Sequence, residues 1–285
     1  MFNQIVNLLK LRIGVIMMLT ALVAMVVTPG QSLDGMQVLV LAFAVLISAG
    51  SAGAFNQYFE VDLDSVMQRT KDRPFVTGSF QKSPLWILFI IALLVVGVGS
   101  AVLFLNNAAA LYIFLGAFFY GIIYTVLLKR RTWMNIVIGG AAGSFAVLAG
   151  AAAVDPDLSP IPILLALVLF FWTPSHFWSL AIAKHQYYAK AGVPMLPVVI
   201  GDKRTAVVVL GNTLILVGVS IMPFFYGMSW LYLAGAVSGG GYFIYQNIKM
   251  ISEPTPKVAM KSFFASLVQL VFLLIGAVLD VVLLG

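Results

Sequence analysis

Cysteine is absent from this 285-residue chain. That excludes a disulfide framework, a thiolate metal site and a cysteine nucleophile. Charge is nearly as scarce: charged residues make up 9% of the sequence, against about a quarter in an ordinary soluble domain. Sixteen basic and ten acidic residues cannot cover the surface of a water-soluble protein of this size. A soluble globular enzyme is thereby excluded. What the chain has in quantity is apolar, with 62% hydrophobic residues and a mean hydropathy of +1.06, so a disordered chain is excluded too. The formal net charge of +6 would point to nucleic acid in a soluble protein. Here the placement of the charges decides.

Nine segments have the roughly 20 mostly apolar residues that a transmembrane helix needs. They lie at about 12–29, 36–58, 85–105, 108–128, 133–153, 161–184, 205–224, 228–248 and 262–284. Turn residues separate them, among them Pro29-Gly30, Asn106-Asn107 and the stretch from Pro156 to Pro162. The first span follows Lys10 and Arg12 as a signal peptide would, but it lacks a small-x-small cleavage site and more spans follow, so it is expected to be retained. In this arrangement every Lys and Arg falls on one side of the membrane, with Glu60, Asp62, Asp64, Asp72, Asp202 and Glu253. The other side holds only Asp34, Asp155, Asp157 and Asp280. The positive-inside rule puts the basic side in the cytoplasm, with the N-terminus inside and the C-terminus outside.

The expectation is an all-α membrane protein: a nine-transmembrane-helix bundle forming a single polytopic domain over residues 1–285. Two long polar loops, 59–84 and 185–204, cap it on the cytoplasmic side. Each follows an even-numbered span, which suggests two related halves. Small residues crowd spans five and eight (Gly139-Gly140-Ala141-Ala142-Gly143 and Ser238-Gly239-Gly240-Gly241), and close helix packing is the plain reading.

The chemistry collects at the ends of two spans. Asn56, Glu60 and Asp64 are spaced by four, so on a helix they share one stripe. Hard oxygen donors of this kind suit Mg²⁺, which takes one or two carboxylates together with substrate phosphates. The bland reading is a solvated helix end. Arg69, Lys71 and Arg73 follow within a few residues. Acids for a metal beside guanidinium groups are what a diphosphate needs. Lys129 and Arg130, at the end of span four, are candidates for the same diphosphate, and Tyr120 and Tyr124 lie near that end. In span six, Pro174 should kink the helix. His176, two residues on, is an intramembrane histidine and so a functional candidate. It could ligate haem iron, donate a hydrogen bond, shuttle a proton, or be satisfied by a neighbouring helix. Lys184 and Tyr187 begin the second loop.

These stretches resemble a known group. Asn56-x-x-x-Glu60-x-x-x-Asp64 followed by Arg69-Thr70-x-x-Arg73-Pro74 is similar to the first motif of the UbiA-type intramembrane prenyltransferase superfamily. The string from Asn56 to Gly78 resembles its haem branch, the protohaem IX farnesyltransferases or haem O synthases. So do Tyr124-Thr125 with Leu128-Lys129-Arg130 and Thr132, Asn135 to Gly140, Thr173 to Phe177, and Ala191 to Pro197. The likeness covers residues 10 to 200 or so. The chain departs from the pattern at Leu11, where a proline is common. It departs again at Ser144-Phe145, where Pro-Pro is common. It also lacks the second acidic motif, having no acid between Asp157 and Asp202.

The resemblance implies a cavity opening to the cytoplasmic side and transfer of a farnesyl group from farnesyl diphosphate to a vinyl group of haem B. Water adds, and haem O and diphosphate result. It implies Mg²⁺ with the diphosphate, haem B as substrate rather than cofactor, and the catalytic and metal set Asn56, Glu60 and Asp64. Diphosphate would be held by Arg69, Lys71, Arg73, Lys129, Arg130 and Lys184. The haem pocket would take His176, Tyr120, Tyr124 and Tyr187. The implied setting is the bacterial inner membrane, with haem A synthase or terminal oxidase assembly as candidate partners and no nucleic acid. Two alternatives stand beside it: a polyprenyltransferase acting on a quinone precursor or chlorophyllide, and a catalytically weak haem- or isoprenoid-binding membrane protein. The missing second acidic motif weighs against the first. Charged helix ends at the membrane surface, not its midplane, weigh against a transporter.

Overall fold

The computed structural model describes residues 2–284, and among them no strand occurs. The chain forms two compact units, Met1–Leu128 with Phe145–Leu158, and Lys129–Ser144 with Ser159–Gly285. The first holds α1 (Phe2–Leu8), α2 (Leu11–Val27), α3 (Gly35–Phe59), α4 (Val61–Val66), α5 (Pro84–Phe104) and α6 (Asn107–Phe118). A π-helical segment, Phe119–Leu128, continues α6. Next come α7 (Asn135–Gly139) and α8 (Ala141–Val154), the latter mostly in the first unit. The second unit holds α9 (Pro160–Ala183), α10 (His185–Lys190), α11 (Leu196–Ile200), α12 (Asp202–Ile221), α13 (Trp230–Ser252) and α14 (Pro256–Leu284).

Helix starts follow local chemistry. Asp34 caps α3 in a reciprocal box with Gln37, accepting from the Gln37 N–H at 2.8 Å while its own N–H donates to Gln37 Oε1 at 3.0 Å. Asn106 caps α6 by accepting from the Ala109 N–H at 2.8 Å. Proline opens α5 and α9, where its missing N–H costs no helical bond. Both long loops contain short helices, α4 in the first and α10 and α11 in the second. α9 continues through Pro174, and Asn212 of α12 donates to the Phe171 carbonyl in the interrupted turn at 2.6 Å.

The exposed faces are apolar. On α5, Leu85, Leu88, Ile91, Val95 and Leu103 are all more than half exposed, the inverse of a soluble helix. Among the described residues, seven helical stretches are long and apolar enough to cross a membrane, while α2 is apolar but shorter, at 17 residues. α13, with 23 residues, is outside those seven and carries Gln246, Asn247 and Lys249. The small-residue clusters do pack closely. A Cβ on Gly140 would lie 2.9 Å from the Thr173 side chain on α9, and one on Gly239 2.9 Å from the Gln269 Cα on α14. These positions let backbones approach where lipid supplies no hydrophobic drive between helices.

Candidate active site

In the first unit the acidic stripe is buried. Asn56, Glu60 and Asp64 are 1%, 0% and 2% exposed, so a solvated helix end is not what the sequence builds there. The stripe is not one regular helix: α3 ends at Phe59, and Glu60 leaves helical geometry (φ −97, ψ 22) before α4 begins. The i→i+4 bonds nonetheless run through the break, Glu60 N–H to Asn56 at 3.0 Å and Asp64 N–H to Glu60 at 2.8 Å, which keeps the three side chains in line. Asn56 Nδ2 donates to Glu60 Oε2 and to Thr125 Oγ1, each at 2.9 Å.

Arg73 reaches back to Asp64, Nη1 to Oδ2, at 2.5 Å. The loop between them is turned by Thr70, whose hydroxyl donates to the Asp64 carbonyl at 3.0 Å. Among the described residues nothing hydrogen-bonds the other oxygen of Asp64. Arg69 and Lys71 are exposed on the same loop.

The sequence reading missed Lys10, which enters the cluster from a distance. Its ammonium donates to Asn56 Oδ1 at 2.5 Å and to the Tyr120 hydroxyl at 2.9 Å. To do so Lys10 adopts the left-handed backbone conformation (φ 48, ψ 41) between α1 and α2, which costs a non-glycine residue about 1–2 kcal/mol. Gly53 gives it room: a Cβ there would lie 3.2 Å from the Lys10 Cβ. Burial pushes the Lys10 amine down to about 7, and Arg73 and Arg69 push the same way against Glu60 and Asp64. The only sequence signal was a lysine before span one, which topology alone explains.

Thr125 was missed as well. It lies on the π-helical segment with Tyr120 and Tyr124, whose rings stack 5.5 Å apart. Thr125 donates to the carbonyl of Tyr120, five residues back, at 2.8 Å. The wider winding places this hydroxyl beside Asn56, and π-helical turns are frequent at functional sites.

No cluster of three or more His, Cys, Asp or Glu suited to a metal occurs among the described residues. The donor set is one amide and two carboxylates, with a spare carboxylate oxygen on Asp64. Such a set fits Mg²⁺ with substrate phosphates completing its shell, and fits poorly a metal that needs an all-protein cage.

The other candidates belong to the second unit. His176 is buried at 7% exposure. It stacks on Trp172 at 4.1 Å and packs on Phe263 at 4.3 Å, and its Nδ1 lies 2.7 Å from Ser266 Oγ. Lys184 and Tyr187 are exposed, the Lys184 ammonium 5.7 Å from the Tyr187 ring centroid. Lys129 is half-buried and Arg130 exposed. Where the second acidic motif is missing, Asp202 folds back onto His185, Oδ1 to Nδ1 at 2.7 Å.

The sequence profile of the UbiA prenyltransferase family matches residues 17–272. The chain belongs to that family. It is 53% identical over 276 residues to protoheme IX farnesyltransferase 2 of Paramagnetospirillum magneticum, covering 97% of this chain and 96% of the relative. Protoheme IX farnesyltransferase 1 of the same organism is 44% identical, with 98% of each chain covered. The fold is that of solved family members. A digeranylgeranylglyceryl phosphate synthase superposes with a TM-score of 0.83 at 18% identity, covering 99% of this chain and 98% of that one. A UbiA homologue from Archaeoglobus fulgidus bound to DMAPP and Mg²⁺ gives 0.71 at 16% identity, covering 95% and 99%. This UbiA-family chain is therefore an integral membrane prenyltransferase.

Proposed function

We propose that the protein transfers the farnesyl group of farnesyl diphosphate to a vinyl group of haem B. The C1–O bond to diphosphate breaks and a bond from C1 to the vinyl carbon forms. Water adds to the other vinyl carbon with loss of a proton, leaving haem O and diphosphate. The protoheme farnesyltransferase relatives, alike over nearly the full length, support haem as the acceptor. The observation that carries the reading is the buried pair Glu60 and Asp64 set beside Arg73 and Lys10.

In this reading Asn56, Glu60 and Asp64 hold Mg²⁺, which offsets charge on the departing diphosphate. Arg73 and Lys10 orient the phosphates from within the cluster, while Arg69, Lys71, Lys129, Arg130 and Lys184 supply cations from exposed or half-buried positions. His176 contacts the haem, with Tyr120, Tyr124 and Tyr187 as further contacts. The chain acts as one domain over residues 1–285, crossing the bacterial inner membrane nine times when α2 and α13 are added to the seven longer spans. Its N-terminus is cytoplasmic, as the basic residues require.

The test is expression in a bacterium lacking haem O synthesis, with extracted haems resolved by chromatography and mass. Haem carrying the hydroxyethylfarnesyl group is the expected result. Haem B alone, despite good membrane expression, overturns the reading.

A further inference from the structure

His176 sits in a hydrogen-bond arrangement that fixes where its proton lies. Ser266 Oγ is 2.6 Å from the Phe263 carbonyl oxygen and 2.7 Å from His176 Nδ1. A carbonyl only accepts, so the single hydroxyl proton of Ser266 points to Phe263. The contact with Nδ1 then needs a proton from the imidazole. His176 is therefore the Nδ1–H tautomer, and Nε2 carries a lone pair. No described residue hydrogen-bonds Nε2, and unlike the indole N–H of Trp178 it is not sealed from the surface.

The ring can be approached only along its edge. Trp172 covers one face at 4.1 Å (18° between planes) and Phe263 lies against the ring at 4.3 Å and 30°. The same serine holds this stack together, since Trp172 Nε1 donates to the Ser266 carbonyl at 2.8 Å. One residue thus sets the tautomer through its hydroxyl and anchors the covering indole through its backbone.

Such a lone pair can accept a hydrogen bond, take up a proton or bind a Lewis acid, and no described residue supplies the first. Accepting a full proton would put an imidazolium among Trp172, Phe177 and Phe263 with only the Ser266 hydroxyl and the Phe263 carbonyl beside it, and no carboxylate touches the ring. An unpaired charge buried in apolar surroundings is costly. Binding a metal leaves the imidazole neutral, and metal-bound histidines typically donate their other N–H to an oxygen, as His176 does.

We infer that His176 Nε2 ligates the iron of the haem acceptor, and that Ser266 is the positioning residue that holds the imidazole in the ligating tautomer. This rests on the haem reading of the function given above. It goes beyond that reading by assigning the bond that fixes the acceptor and the residue that prepares it.

The test uses the full-length protein in nanodiscs, titrated with ferric haem B and followed by Soret absorption and electron paramagnetic resonance. The wild type is expected to show an imidazole-ligated spectrum. His176→Ala should lose it, and added imidazole should restore it. Ser266→Ala should weaken haem binding about tenfold, and Ser266→Thr, which keeps the hydroxyl, should recover it. Identical spectra in wild type and His176→Ala overturn the ligation. Unchanged haem affinity in Ser266→Ala overturns the positioning role. Haem O production is measured on the same preparations. A wild type that makes haem O without a His176-dependent spectrum defeats this inference alone, whereas one that neither binds nor farnesylates haem defeats the function as well.

Discussion

The first unit gathers buried charge at one site, whereas the buried polar groups of the second are largely neutral. Lys10, Glu60, Asp64 and Arg73 meet around Asn56, held by strained backbone at Lys10 and a break in the helix at Glu60. In the second unit Asn247 donates to Thr213 at 2.7 Å, Thr213 to Ser175 at 2.9 Å and Ser262 to Asn247 at 2.6 Å. Those donors and acceptors satisfy one another within helices, beside the turn that Pro174 interrupts. Buried charges repay their desolvation only with excellent pairing, so a cluster that keeps a carboxylate oxygen spare is built for something that arrives. A neutral network that closes on itself builds structure, and His176, bonded separately to Ser266, is where the same unit leaves a lone pair open.

The contrast can be broken by experiment. If charge in the first unit serves the diphosphate, chelating Mg²⁺ should stop haem O formation and restoring it should recover full turnover. Asp64→Ala should lower turnover by about a thousandfold or more, since it removes a metal ligand and strands Arg73. The control is Asp34→Ala, which loses a capping box worth about 1 kcal/mol and should keep wild-type turnover. Equal rates in the two variants would defeat the site. Lys10→Met should come next in size, raising the KM for farnesyl diphosphate about tenfold while haem affinity, read by titration, stays put. In the second unit, Asn247→Leu should lower thermal stability by about 0.6–1.7 kcal/mol without changing the KM for farnesyl diphosphate. A large KM effect there would erase the distinction between the two regions. Asp280→Asn should do least. The carboxylate accepts from the N–H groups of Ser229 and Tyr232 at the start of α13, and losing its charge should cost about 0.5 kcal/mol, visible in melting and not in turnover.

The all-helical class was legible because membrane helices write long apolar runs into the sequence, and capping residues such as Asp34, Asn106 and Pro160 mark where they begin. The stripe at 56, 60 and 64 was visible because its members are neighbours on one helical face. Lys10 was not, since it meets Asn56 across 46 residues, and a lysine before a span has an ordinary topological explanation. Thr125 depended on a π-helical winding that no spacing announces. The link between His185 and Asp202 spans 17 residues and two short helices, so no local spacing pairs the two. Ser266 lies 90 residues from His176 and reads, in isolation, as one more small residue in an apolar helix.

The chain of Asn247, Thr213 and Ser175 has a consequence for assembly in the bilayer. Leucine and valine faces slide past one another with little change in contact, so apolar surfaces alone set the vertical registration of two membrane helices loosely. A hydrogen bond does not slide. Moving α13 along α12 by one residue is a shift of about 1.5 Å, enough to part Asn247 from Thr213 and, through Ser262, to disturb α14 as well. The neutral network therefore works as a vernier: it selects one height for each of α9, α12, α13 and α14, and so fixes the depth in the membrane at which His176 is held.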